Sequence, residues 1–379
     1  MLFADSETQK LLRNTGRAYL ADRFPWERLY ALERGDAQLT SEELKGLAEM
    51  GWLGLLVPQS AGGGGLSLLE AAVVIDELGY AGVPVPITAG SVAAYLLTDA
   101  ASHGLNVHDH LVALAAGSRL YTVAEASRRR GRGEAPLAVS GARLVGSLSQ
   151  VPFGQMADFV LAPLAMDGEP AFAALPLEGT RRQPVRLLDR PSYCDVHFDG
   201  DIPPSTAVLA RGDEAQSLHE RCDALITALS LIEMAGMMQR VLEMTAEYIS
   251  NRVQFGQPIG KFQAARHRAA ELLMQTETTR WTAYHALWRF QEDPSDSREI
   301  WLAKHWAIRA ADRVFQVSHL LHGGVGVGTD YPLHLFTQGI AAFAVRAGAM
   351  NEIVARTVES MNFRTARAAG PAVTAEPQP

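Results

Sequence analysis

The chain has 379 residues, too many for one small core and suited to two or three domains. Its hydrophobic content of 47% and charged content of 20% are those of a globular protein. A net charge of −8 argues against nucleic acid as a partner but leaves room for one locally held phosphorylated ligand. The two cysteines, Cys194 and Cys222, build neither a disulfide framework nor a metal site, which fits a reducing cytoplasm. Met1 to Lys10 mix Asp, Glu and Lys with short apolar runs and do not read as a signal peptide. No uninterrupted apolar stretch reaches the ~20 residues a spanning helix needs. A cytoplasmic protein without a membrane segment is expected.

From about Thr8 to Leu105 the pattern is helical. Ser41 reads as an N-cap followed by Glu42 and Glu43, with Leu44, Leu47 and Ala48 at helical spacing. Met50 to Pro58 is an apolar connector, Gly62 to Gly65 a loop, and Ser67 to Leu78 a helix ending at Gly79. Between about Arg119 and Ala210 the period shortens. Leu120–Ala124, Asp158–Ala162 and Asp195–Phe198 are short apolar or alternating runs bounded by Gly, Pro and Asp, and predict a β domain. Four arginines among Arg128–Arg132 lie in its first long loop and read as a solvated run.

After Gln216 the chain is helical again. Leu218, Cys222, Leu225, Leu229, Ile232 and Gly236 mark one face of a long helix. Further helices are predicted over Lys261–Glu292, Ser297–Leu320 and Leu333–Asn362, with Pro294 as a break, and they make an antiparallel bundle. The division expected is a helical domain (1–115), a β domain (116–212), a helical bundle (213–366) and a disordered Pro-rich tail (367–379).

Two corners carry the chemistry. Asn251 to His267 turns through Gly256, Pro258 and Gly260, with Arg252 and Phe255 three residues apart beside helix ends that suit an anion. His322-Gly323-Gly324-Val325-Gly326, followed by Asp330-Tyr331-Pro332, is a glycine-rich bend between helices. Together these stretches resemble the acyl-CoA dehydrogenase family. There Arg-x-Gln-Phe-Gly and a downstream Gly-Gly-x-Gly hold FAD across a subunit interface. The Gly-Trp-Leu-Gly and Glu-Leu-Gly segments at 51–54 and 77–79 match as well, so the resemblance spans nearly the whole chain. It implies an α+β fold: an N-terminal helical domain, a middle β-barrel or sandwich, and a C-terminal four-helix bundle. It also implies FAD bound by Arg252, Gln254, Phe255, Gly323, Gly324 and Gly326, an acyl-CoA substrate and an electron-transfer acceptor.

A dehydrogenase of this kind needs a carboxylate to remove the proton beside the thioester carbonyl. Alignment on Glu352-Ile353 places Gly348 at the usual base position, and the alternative base position falls at Ile226. Neither accepts a proton, although an alignment slip of one helical turn would bring Glu352 to the first. The flavin-facing strand of the family appears as Gln150-Val151-Pro152, and Pro supplies neither hydroxyl nor N–H. The Glu125 stretch keeps its acid but runs into the arginine loop.

The half lent to a neighbour is therefore kept, and the half that holds the chain's own flavin ring is altered. This pattern resembles the non-base subunit of heteromeric acyl-CoA dehydrogenases of bacterial steroid side-chain breakdown. That implies an α2β2 heterotetramer with a homologous partner and α,β-desaturation of a bulky, steroid-derived CoA thioester. Two alternatives remain open. One is a self-sufficient homo-oligomer, with a displaced base or with flavin chemistry such as oxygen activation that needs none; the other is a flavin-free scaffold. Thr227, Ser230 and Glu233 lie along one side of the long apolar helix. Glu233 is thus either a desolvated base facing a polar pocket or, the reading preferred, a structural acid paired with an Arg or a helix end. His322 and His334 read as turn-stabilising or packing residues, with flavin contact as the alternative.

Overall fold

The computed structural model describes residues 4–124, 136–188, 193–346 and 350–360. Six helices come first: α1 (Glu7–Arg23), α2 (Trp26–Arg34), α3 (Ser41–Glu49), α4 (Leu68–Ala81), α5 (Ile87–Ser102) and α6 (His108–Ala115). Three of them start at capping boxes, built by Ser6 with Gln9, Thr40 with Glu43 and Ser67 with Glu70. The cap of α3 is Thr40, not Ser41. Thr40 Oγ1 accepts the Glu43 N–H at 3.1 Å and the Glu43 carboxylate accepts the Thr40 N–H at 2.7 Å. A cap at Ser41 would put Leu44 in the reciprocal position, where no acceptor exists. The fourth helix also runs past the expected stop at Gly79 and ends at Gly82, whose φ of 68° closes it.

Gly79 serves packing instead. A Cβ there would stand 1.9 Å from the carbonyl oxygen of Glu233, and one at Gly236 would stand 2.1 Å from that of Asp76. Missing side chains let α4 lie against the long helix α7 (Gly212–Asn251). On its other side α4 is held by charge. Buried Asp76 and Glu77 face Arg13 and Arg17 of α1, and Arg280 from α8 (Gln263–Glu292) also reaches Asp76.

The middle segment contributes β1 (Tyr121–Val123), β2 (Leu137–Ser140), β3 (Arg143–Pro152), β4 (Phe159–Met166), β5 (Glu169–Pro176), β6 (Arg181–Val185), β7 (Tyr193–Asp201) and β8 (Ala207–Arg211). They form one mixed sheet in the order β6-β7-β3-β2-β4-β5-β8, with β1 added parallel to β4. The three predicted runs are β1, β4 and β7. The sheet has its own core of Val, Leu and Ala side chains, separate from the larger helical core. Glu125–Ser127 and the Arg128–Arg132 run lie outside the described residues.

The bundle consists of α7, α8, α9 (Arg298–His322) and α11 (Leu333–Arg346), with a short turn α10 (Gly324–Val327) and a last helix α12 (Met350–Ser360). The predicted Leu333–Asn362 helix is represented by α11 and α12. Residues 347–349, including Gly348, and residues 361–379, including the tail, lie outside the described part. The predicted apolar face of α7 is buried throughout, from Leu218 to Gly236. By length and composition alone α7 has a stretch apolar enough to cross a membrane, but 61% of that stretch is buried inside this fold, as in a core helix.

Candidate active site

A cleft with a volume of about 100 Å³ opens where the sheet, the first helices and the bundle meet. One wall is α7, whose Ile226, Ser230, Glu233 and Met237 recur at i, i+4, i+7 and i+11. Facing it are Leu335, Gly339, Phe343 and Arg346 on α11, at i, i+4, i+8 and i+11. The start of α5 adds Thr88 and Ala89, the sheet adds Pro152 and Tyr193, and the turn after β3 adds Phe153. The lining is mainly apolar, with a few polar groups converging on it, as in small-molecule sites.

Two of the sequence candidates sit here. Ile226 is 7% exposed and presents only hydrocarbon to the cleft. Glu233 faces the same space one turn past Ser230, and its Oε2 accepts a 2.8 Å hydrogen bond from Thr88 Oγ1. Thr88 belongs to the first turn of α5, whose cap residue Pro86 makes no side-chain bond. A helix start of that kind favours a nearby carboxylate. Glu233 thus faces the cleft and is bonded to a side chain in the first turn of α5. The Arg346 guanidinium stands over the Tyr193 ring, 5.4 Å from its centre.

The sheet's contribution is irregular. The register of β3 against β7 shifts between Leu148 and Val151, and Gln150 has φ 54° with its N–H bonded to Asp195 Oδ1 at 2.8 Å. The Pro152 carbonyl is taken by Thr122 Oγ1 at 2.7 Å, and Phe153 follows at φ 53°. Non-glycine residues at positive φ mark local strain. At Pro152 the wall offers a flavin ring neither an N–H nor a hydroxyl.

The other candidates lie elsewhere. Arg252 caps α7, about 22 Å beyond Met237 at 1.5 Å per residue. Its N–H donates to Tyr248 O at 2.8 Å, and its side chain is exposed. The two-residue strands β9 (Val253–Gln254) and β10 (Gln257–Pro258) then form a small hairpin. Phe255 at its tip has φ 54°, is 93% exposed and meets Phe262 edge-on. Gln254 Nε2 donates to the Val253 carbonyl.

At the glycine bend, Gly323 adopts φ 57°, ψ −139°, and nothing stands within 4 Å of a Cβ built at Gly323 or Gly324. An exposed guanidinium, an amide side chain and open glycine backbone fit the anionic part of a dinucleotide cofactor. Gly326 is different: it is buried, with a built Cβ only 2.7 Å from the Cβ of His322. His322 is itself buried, and His334 bonds through Nδ1 to the Tyr331 carbonyl at 2.9 Å, so both stabilise the turn.

Sequence reasoning missed Thr88, Phe153, Tyr193 and Arg346 as cleft residues. Phe153 directly follows Pro152 and Arg346 lies two residues before Gly348, beside positions already singled out; Thr88 and Tyr193 come from segments with no motif of their own.

Comparison with known proteins decides the family. The acyl-CoA dehydrogenase N-terminal domain profile matches residues 6–106 and the C-terminal domain profile residues 227–363. FadE27, an acyl-CoA dehydrogenase of Mycobacterium tuberculosis, is 31% identical over 328 residues, 80% of this chain and 84% of that protein. The chain belongs to the acyl-CoA dehydrogenase family. Its members are FAD-dependent oxidoreductases acting on acyl-CoA, and the three-part fold is the family's. FadE28 of the same organism is 27% identical over 285 residues, 74% of this chain and 81% of that protein. Among solved structures, the ChsE4–ChsE5 complex of M. tuberculosis superposes with a TM-score of 0.84 at 26% identity, covering 95% of this chain and 99% of that one. A variant of the Tcur3481–Tcur3483 steroid ACAD gives 0.83 at 26% identity, covering 94% and 98%.

Proposed function

We propose that this chain is the non-base subunit of a heteromeric, FAD-dependent acyl-CoA dehydrogenase acting on a bulky, steroid-derived CoA thioester. The observation that carries the reading is a separation within the chain. The cleft is lined by Ile226 and Pro152, which the family resemblance aligns with one base position and with the flavin-facing strand, whereas Arg252, Gln254, Phe255, Gly323 and Gly324 stand exposed on another part of the molecule. In the assembly those exposed groups complete the FAD site of a homologous partner in an α2β2 tetramer. Arg252, Gln254, Phe255 and the glycines would hold the cofactor's pyrophosphate and adenosine, with the Arg252 guanidinium supplying positive charge to the pyrophosphate. The partner supplies the carboxylate that removes the α-proton, and bound FAD supplies the hydride acceptor. An electron-transfer protein then takes up the electrons. The likeness to the ChsE4–ChsE5 complex and to a steroid ACAD supports both the heteromer and the substrate class.

The reading assigns a helical domain to 1–115, a β domain to 116–212 and the bundle to 213–366, in a cytoplasmic enzyme. It is tested by the visible spectrum of the chain purified alone and with its co-expressed homologous partner, before and after anaerobic addition of a steroid-CoA thioester. Flavin present only in the pair, and bleached there by substrate, is the expected result. A yellow homo-oligomer bleached by substrate overturns it in favour of a second reading, a self-sufficient enzyme, which the placement of Glu233 in the cleft favours. A chain that stays colourless with every partner overturns both and leaves a scaffold.

A further inference from the structure

We propose that His322 is a positioning residue: through its stack on Tyr248 it holds the 252–255 corner and the 323–326 bend at one fixed separation, so that both meet the same dinucleotide cofactor. The proposal rests on the reading that these two loops serve FAD across a subunit boundary.

The imidazole touches the residue that leads into the corner, Tyr248, and the one that follows the bend, Tyr331. It lies against Tyr248 with ring centres 4.5 Å apart and planes 29° from parallel. Tyr248 is in the last turn of α7, and its carbonyl accepts the Arg252 N–H that ends the helix. Whatever fixes Tyr248 therefore fixes the first residue of the corner. On the other side His322 directly precedes Gly323, and its Cβ fills the space against which Gly326 folds back. The far end of the bend is held too, since Nε2 lies 3.3 Å from the Tyr331 hydroxyl and the Tyr331 ring is 5.1 Å away.

The ring's own orientation is determined. Nδ1 is 2.8 Å from the Ser318 carbonyl, which only accepts, so Nδ1 carries the proton. Nε2 is then free to accept from Tyr331. Burial lowers the pKa of His322, which agrees with a neutral ring whose two nitrogens play these different roles. An exposed corner such as 252–255 buries little of its own surface, so its placement depends on what lies behind it. Behind it lies this stack.

The test uses the chain co-expressed with its homologous partner, with FAD affinity measured by flavin fluorescence and assembly by size-exclusion chromatography. His322→Leu removes the ring and both hydrogen bonds at similar volume; His322→Phe restores the ring alone. The expected result is an FAD dissociation constant raised about tenfold by His322→Leu and largely recovered by His322→Phe, with assembly intact. Tyr248→Leu reads the same contact from the other side and should match His322→Leu. It also decides the matter if His322→Leu fails to assemble. Wild-type affinity in Tyr248→Leu, or a loss in His322→Phe equal to that in His322→Leu, overturns the positioning role. Arg252→Ala separates the two levels: if it leaves FAD affinity unchanged, the reading of these loops as a cofactor site fails, whatever His322 does.

Discussion

Thr88 Oγ1 donates to Glu233 Oε2 across 2.8 Å, and this bond ties the first turn of α5 to the middle of α7 at the edge of the cleft. A hydrogen bond to a charged group contributes roughly 1.5–3 kcal/mol net. Glu233→Gln keeps an acceptor for Thr88 while removing the charge. In a subunit whose partner carries the base, that change leaves turnover of the complex within about threefold, because no proton passes through Glu233. A general base lost outright costs about 10²–10⁴-fold. Steady-state turnover of the complex with a steroid-CoA thioester distinguishes the two, and a loss of the larger size would make Glu233 the base.

The same region depends on two absent side chains. Asp76 and Gly79 on α4 interlock with Glu233 and Gly236 on α7, each pair three residues apart, so backbone meets backbone. Gly79→Ala or Gly236→Ala forces the helices apart, since carbonyl oxygens rather than flexible side chains stand in the way. Overpacking of this kind costs about 1–3 kcal/mol. Thermal unfolding should show a lower Tm for either variant. A Tm equal to that of the wild type would mean that the helices separate without loss.

The cap of α3 should respond to acid. Burial alone would raise the pKa of Glu43, but the Arg28 guanidinium and the Thr40 N–H and hydroxyl more than offset it, and the net direction is down. A carboxylate held below its unfolded value stabilises the fold above that unfolded value, about 4.3 for Glu. Its contribution is lost as pH falls through the lower, folded value. Glu43→Gln should therefore unfold at a lower temperature at pH 7 and differ less from the wild type as the pH drops below about 4. An equal difference at both pH values would sink the assignment.

The helical parts of this fold were legible because their signals are local. Leu218 to Gly236 repeats at the helical period for five turns, and burial follows that stripe. The cap of α3 slipped by one residue because Thr40 and Ser41 both suit a cap and only the reciprocal bond of Glu43 separates them. The sheet was only partly visible. β5 and β6 contain Pro170, Pro176 and Pro184, and β5 is otherwise rich in Ala, so propensity argued against strands that tertiary pairing supplies.

The two exposed loops stood out in the sequence because they are motifs of contiguous residues. The cleft did not, because Thr88, Tyr193 and Arg346 come from three segments brought together only by folding. The expectation of Gly348 at the usual base position rests on the sequence alone, since Gly348 lies outside the described residues.

Ile226 gives the most direct check on whether the cleft itself does chemistry. The side chain is 7% exposed among Met234, Val83 and Phe343 along the cleft wall. Ile226→Glu places a carboxylate in the cleft, at the position the proposed reading aligns with one of the family's bases. If the chain lends its cofactor-binding edge and holds no flavin of its own, the new acid has nothing to act on. The purified variant should then leave a steroid-CoA thioester unchanged in the presence of added FAD and an artificial acceptor. It should also unfold at a lower temperature, since a carboxylate in an apolar wall either stays charged at a desolvation cost or becomes protonated. Desaturation of the thioester by Ile226→Glu alone would show that flavin and substrate both enter this cleft. The chain would then be a complete scaffold lacking only its base, and a requirement for a partner would have to come from something other than the cofactor site.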